Sequence, residues 1–189
     1  LPRPRRAHAT GGRAAGGARP LTAGHNAAGS AWPTGTVAFL FTDIQGSTAR
    51  WERDADAMRA ALAQHDAVLE DAIRRHDGIW FRRVGDAVQA AFPAAPDALA
   101  AAVDAQRGLG AASWGPDGPV SVRRALHVGE AAPHRGDYVA PCLNRLARLM
   151  AAGHGGQILL SQAAALLVRD DVPPGVALRS LGAHRLRDL

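Results

Sequence analysis

The chain has 189 residues, 47% of them apolar, and a net charge of +5. That length suits one buried core; no apolar run approaches the ~18 residues of a membrane span, and no charged stretch leads into a signal-type apolar segment, so a cytoplasmic protein is expected. The lone cysteine, Cys142, excludes an internal disulfide and reads as a buried structural thiol.

The excess charge is local. Arg3, Arg5, Arg6, Arg13 and Arg19 lie in the first 35 residues without a single acid, which leaves 17 basic against 17 acidic residues in the rest. Residues 1–34 are rich in Arg, Gly and Ala and cannot bury much apolar surface, so a disordered leader is expected there. All the basic residues are arginines, a compositional bias of the whole chain. The folded part shows no basic stripe, so no specific nucleic-acid partner is expected.

The ordered region, 35–189, alternates strands with helices. Thr36 to Phe41 reads as a strand that ends on one carboxylate, Asp43, followed by Gly46-Ser-Thr48 turn chemistry. A helix is predicted from Ala49 to Arg75, stopped by His76-Asp77-Gly78. Ile79 to Val84 and Ala87 to Phe92 form a predicted hairpin with a second acid, Asp86, at its tip. Pro93 and Pro96 open an alanine-rich helix through Gln106 or Leu109. Val120 to Gly129 reads as a strand, and Asp137-Tyr138 precedes a helix over Pro141 to Ala152. A short strand at Gln157 to Ser161, a helix at Gln162 to Arg169 and a strand at Val176 to Ser180 complete the reading. This order predicts an α+β fold with a mostly antiparallel sheet. The abrupt end at Arg187-Asp-Leu189 suggests a missing terminal strand.

Two strand-end carboxylates, Asp43 and Asp86, suggest a hard-cation site. Asn144 and Arg148 are one helical turn apart and share a face. His127, inside an apolar strand, reads as a packed or hydrogen-bonded core residue. Arg83 is expected to point away from Arg82 by pleat alternation and to be structural.

Six motifs in order, Phe41-Thr-Asp-Ile-Gln-Gly-Ser-Thr48, Val84-Gly-Asp86, Leu126-His-Val-Gly-Glu130, Gly136-Asp-Tyr138, Leu143-Asn-Arg-Leu-Ala-Arg148 and His154-Gly-Gly-Gln-Ile-Leu-Leu-Ser161, resemble the class III adenylate/guanylate cyclase catalytic domain of bacterial type. The resemblance covers about 35–189. It implies a ferredoxin-like βαββαβ core flanked by helices, a homodimer, and conversion of ATP to 3′,5′-cyclic AMP and pyrophosphate. Asp43, Asp86 and the Ile44 carbonyl would hold two Mg2+ or Mn2+ ions per site. Asn144 would position the ribose, and Arg148 would stabilise charge on the α-phosphate.

Base selection follows from the same resemblance. Asp137 stands where adenylate cyclases carry an aspartate or threonine, and Arg82 stands where they carry a lysine; the glutamate and cysteine or serine of guanylate cyclases are absent. Aspartate accepts from the adenine 6-amino group and would repel guanine O6, so ATP is favoured. Arginine keeps the charge but not the shape of lysine. A nucleotide-binding regulatory domain of low activity is therefore the alternative. Arg187 falls near a phosphate-binding lysine of the family.

Overall fold

A computed structural model describes residues 31–115 and 117–186. Residues 1–30 of the expected leader, and Arg187, lie outside them. Five strands form one sheet in the order β2-β3-β1-β4-β7, built from β1 (Gly35–Ile44), β2 (Ile79–Val84), β3 (Ala87–Phe92), β4 (Val122–Ala131) and β7 (Ile158–Leu160). The β1–β3, β1–β4 and β2–β3 pairs are antiparallel, and β7 joins β4 in parallel. With α2 (Ala55–Arg75) between β1 and β2, and α3 (Ala95–Ala111) between β3 and β4, this is the expected ferredoxin-like βαββαβ core.

Alternation along β1 builds two cores. Ala38, Leu40 and Ile44 join Leu69, Ala72 and Ile73 of α2 and Leu99 and Ala102 of α3 on one face. Val37, Phe39 and Phe41 face the other way, onto Leu143 and Leu146 of α4 (Pro141–Ala151), with Tyr138 and Phe81. Burying both faces of the central strand explains its near-continuous apolar run. Alanines at five buried positions of α3 let that helix lie close to its neighbours. The final helix, α5 (Gln162–Val168), adds Ala164 and Val168 to the first core. On the second face, α4 comes so close to β4 that a Cβ on Gly129 would lie 2.5 Å from the Cys142 Cβ. Burial pushes the Cys142 thiol up from its ordinary value.

The expected Ala49–Arg75 helix is two helices, α1 (Ser47–Arg53) and α2. Asp54, extended at φ −154°, ends the first and caps the second: its carboxylate accepts from the N–H groups of Asp56 (3.0 Å) and Ala57 (2.9 Å). Asp137–Tyr138, expected only to precede a helix, forms a short strand, β6, against β5 (Pro133–His134). The strand expected at Val176 to Ser180 is absent from the fold. That stretch begins with three apolar residues but pairs with no strand among the described residues, and without a partner edge its backbone gains no ladder. At the other end, Pro33 accepts a hydrogen bond from the buried Tyr138 hydroxyl (2.7 Å), and Trp32 packs on its ring at 5.5 Å.

Candidate functional site

The first constellation gathers where β1 ends. Gly46, at φ 71°, turns the chain from β1 into α1, which places Ser47 beside the β2–β3 tip. Asp86, at that tip, accepts from the Ile44 N–H (2.9 Å) through Oδ2 and from the Ser47 hydroxyl (3.1 Å) through Oδ1. The two acids are thus brought to neighbouring positions, since Ile44 follows Asp43 directly. Asp43 is half-buried and ion-paired with Arg123, its register partner on β4.

The donor set fits a hard divalent cation. Two carboxylates and the Ile44 carbonyl present only oxygen, the ligand type that Mg2+ and Mn2+ prefer. Both Asp86 oxygens retain lone pairs after accepting one bond each. Among the described residues no group of three or more His, Cys, Asp or Glu side chains converges to hold a metal. A cation here would therefore draw further oxygens from backbone, water or a phosphate.

The second constellation lines a cleft of about 310 Å³ formed by Arg82, Tyr138, Val139, Ala140, Pro141, Leu143 and Asn144. Arg82 donates to Asp137 Oδ2 from Nε (3.1 Å) and Nη2 (2.5 Å), and from Nη2 to the Tyr138 carbonyl (3.0 Å). The other Asp137 oxygen accepts from the Tyr138 N–H at 2.7 Å. Asn144 is exposed on α4, and Arg148 is half-buried one turn further on. Neither Asp43 nor Asp86 lines this cleft. A second cavity, of about 250 Å³ beside Trp114 and Gln64, contains none of the predicted site residues.

A β-bulge decides which way Arg82 faces. Trp80 pairs with Ala90 and Arg82 with Gln89, so Phe81 is an extra residue in β2. Phe81 packs in the α4-side core while Trp80 packs in the other. Plain alternation from Trp80 would send Arg82 toward α2; the bulge turns it to Asp137 instead. Arg83 then goes to the α2 face, as expected opposite to Arg82, and pairs with Asp66 at 2.6 Å.

His127 sits half-buried with Nδ1 2.8 Å from the Ser161 hydroxyl, a hydrogen-bonded strand residue, and burial followed by the nearby Arg145 charge lowers its pKa. In the His154-Gly-Gly turn, Gly156 supplies the positive φ of 84°. Gly155 is required by close approach, because a Cβ there would lie 2.5 Å from the Ser121 Cβ. Its N–H donates to the Gln45 amide oxygen at 2.5 Å, tying that turn to the end of β1. Sequence reading missed Arg123, Ser47 and Gln45. Only the β1–β4 register reveals Arg123, although Ser47 and Gln45 lie inside a motif already singled out.

The chain matches no protein-family model. An uncharacterized Mycobacterium tuberculosis protein is 40% identical over 159 residues, 83% of this chain and 53% of that protein. The adenylate cyclase of Lachancea kluyveri is 36% identical over 154 residues, 68% of this chain but only 8% of that enzyme. The chain thus spans about half the length of the mycobacterial relative and a small part of the fungal one. Among solved structures, a Trypanosoma brucei adenylate cyclase in its monomeric state superposes with a TM-score of 0.74 at 23% identity, covering 87% of this chain and 90% of that one. The monomeric guanylyl cyclase domain of the Blastocladiella emersonii RhoGC fusion protein gives 0.66 at 20% identity, covering 72% and 86%. At these identities the structures establish a shared fold.

Proposed function

The chain is a class III nucleotidyl cyclase homology domain, and on that premise we propose that it is an adenylate cyclase working as a homodimer. The observation that supports this reading is the clasp of Asp86 onto the Ile44 N–H, next in sequence to Asp43, at the end of β1. Arg82, held by its ion pair with Asp137, lines a separate cleft of the same chain, and in this reading the pair faces the purine. One copy would supply Asp43, Ile44 and Asp86, and its partner would supply Arg82, Asp137, Asn144 and Arg148.

In this reading the ribose 3′-hydroxyl gives up its proton to water as its oxygen attacks the α-phosphorus, the bond to the bridging oxygen of the β-phosphate breaks, and pyrophosphate leaves. Asn144 orients the ribose. Arg148 faces the charge that grows on the α-phosphate, a preorganised role that typically contributes on the order of 10²-fold or more. Asp137 accepts from the adenine 6-amino group. Asp43, Asp86 and the Ile44 carbonyl would hold two Mg2+ or Mn2+ ions, which when bound would acidify the 3′-hydroxyl and offset triphosphate charge. Arg187 is assigned to the triphosphate by its place in the sequence alone. Among the described residues no helix is long and apolar enough to cross a membrane. A cytoplasmic catalytic unit over 35–189, preceded by a leader that binds no specific nucleic acid, completes the proposal.

One observation favours a second reading. Arg82 and Asp137 satisfy each other and the Tyr138 backbone, so the groups that would read the base are already engaged. A nucleotide-binding regulatory domain with little turnover would carry such a closed pair. Identification of the product from ATP and Mn2+ separates the two: cyclic AMP supports the cyclase, and bound but unconverted ATP supports the regulatory domain.

A further inference from the structure

The β2–β3 tip that carries Asp86 has little burial of its own; Val84 is 59% exposed and Gly85 adopts φ 62°. What fixes it comes from α2. Arg83 donates from Nη1 (2.6 Å) and Nη2 (3.1 Å) to both oxygens of Asp66, and from Nε to the Gly85 carbonyl (2.9 Å). Each edge of its guanidinium is thus engaged, and the plane lies over the Trp80 ring at 5.6 Å. Asp66 is held in turn by His65, whose Nδ1 lies 3.0 Å from Oδ1 and must carry the proton, because a carboxylate only accepts. His65 is fully buried, and its Nε2 has no partner among the described residues. The flanking α2 residues Leu69, Ala72 and Ile73 are core.

The geometry points to His65, Asp66 and Arg83 as a positioning relay that locks the Gly85–Asp86 peptide and so presets the Asp86 carboxylate for its cation. The inference rests on the reading of Asp86 as a metal ligand. Its logic is that of groups which orient a ligand without touching the metal. Arg83 is suited to this because its rigid planar fork holds both oxygens of a carboxylate and a carbonyl in one fixed geometry, whereas a lysine offers a single ammonium on a flexible stem. A bidentate pair with side chains 23% and 25% exposed is also better shielded than an open surface pair.

The test uses the full chain with Mn2+ and 3′-deoxy-ATP, which lacks the attacking hydroxyl, and counts free Mn2+ by electron paramagnetic resonance. Asp66→Asn and Arg83→Ala are each expected to weaken Mn2+ binding by about 10 to 100-fold. Without metal or nucleotide, both should speed amide exchange across the tip, residues 84–87, while α2 stays protected. Unchanged tip exchange together with unchanged Mn2+ affinity would overturn the relay. Loss of protection throughout α2 would overturn it too, by making the pair a support of the fold. Asp86→Ala keeps the two readings apart. If that variant binds Mn2+ like the wild type, the metal assignment fails, while the exchange data still judge whether the relay holds the tip.

Discussion

Arg82 and Asp137, 55 positions apart in sequence, meet through two hydrogen bonds to a single carboxylate oxygen, with the Arg82 fork also reaching the Tyr138 carbonyl. Arg82, so held, forms part of the wall of the cleft that runs along the start of α4. Arg82 Nη1 takes no part in these bonds, so in the proposed reading it is the donor left to meet a purine.

Arg82→Lys should raise the ratio of ATP to GTP turnover. A compact ammonium leaves more of the Asp137 carboxylate open to the adenine amino group, and the change expected is on the order of 10-fold. Asp137→Ala should lower that ratio. Steady-state rates on both nucleotides in Mn2+ check the two directions together.

If each site is shared, Asp43→Ala and Asn144→Ala chains, inactive alone, should regain activity when mixed and allowed to exchange subunits. Half of the dimers would then be hybrids with one intact site of two, so recovery should approach about a quarter of wild-type activity. No recovery despite hybrids verified by native mass spectrometry would place the whole site in one chain.

The Asp66–Arg83 contact should make stability depend on pH at the acid end. Burial alone would raise the Asp66 carboxyl, but bonds from His65 and Arg83 outweigh it and hold the group below its ordinary 3.8. A depressed carboxylate contributes stability that is present above the unfolded pKa and lost as pH falls through the folded one. The melting-temperature gap between wild type and Asp66→Asn should be steady at about pH 5 to 7 and close below the ordinary carboxylate range.

Tyr138→Phe should cost about 1 kcal/mol, the net worth of its hydroxyl bond to the Pro33 carbonyl. It should also loosen Trp32, which packs at a tilt against the same ring. A denaturant midpoint and Trp fluorescence quenching measure the two effects. A burial-raised hydroxyl, pushed up to about 12, implies that this ring stays neutral through ordinary alkaline conditions.

Much of this was legible in the sequence where the signal is local. The strands β1, β2 and β3 announced themselves by runs of β-forming residues and by turn residues, and their terminal acids came with them. The Asn144–Arg148 spacing declared a shared helix face. What stayed hidden depends on partners distant in the chain. The Arg123–Asp43 pair exists only because of the β1–β4 register, and the bulge at Phe81 that aims Arg82 appears only once β2 is laid against β3. Asp54 was hidden differently: it lies within a helical pattern, and its capping bonds outcompete one continuous helix. Val176 to Ser180 shows the converse failure, a strand-like pattern that finds no edge to join.

The most direct test of the central claim is product formation from ATP and from GTP in Mn2+, at two protein concentrations, beside an Asp43→Ala control. The account predicts cyclic AMP from ATP, a specific activity that rises with protein concentration, and loss of product in the control. ATP that binds but yields no cyclic product at either concentration, with GTP equally silent, would contradict it.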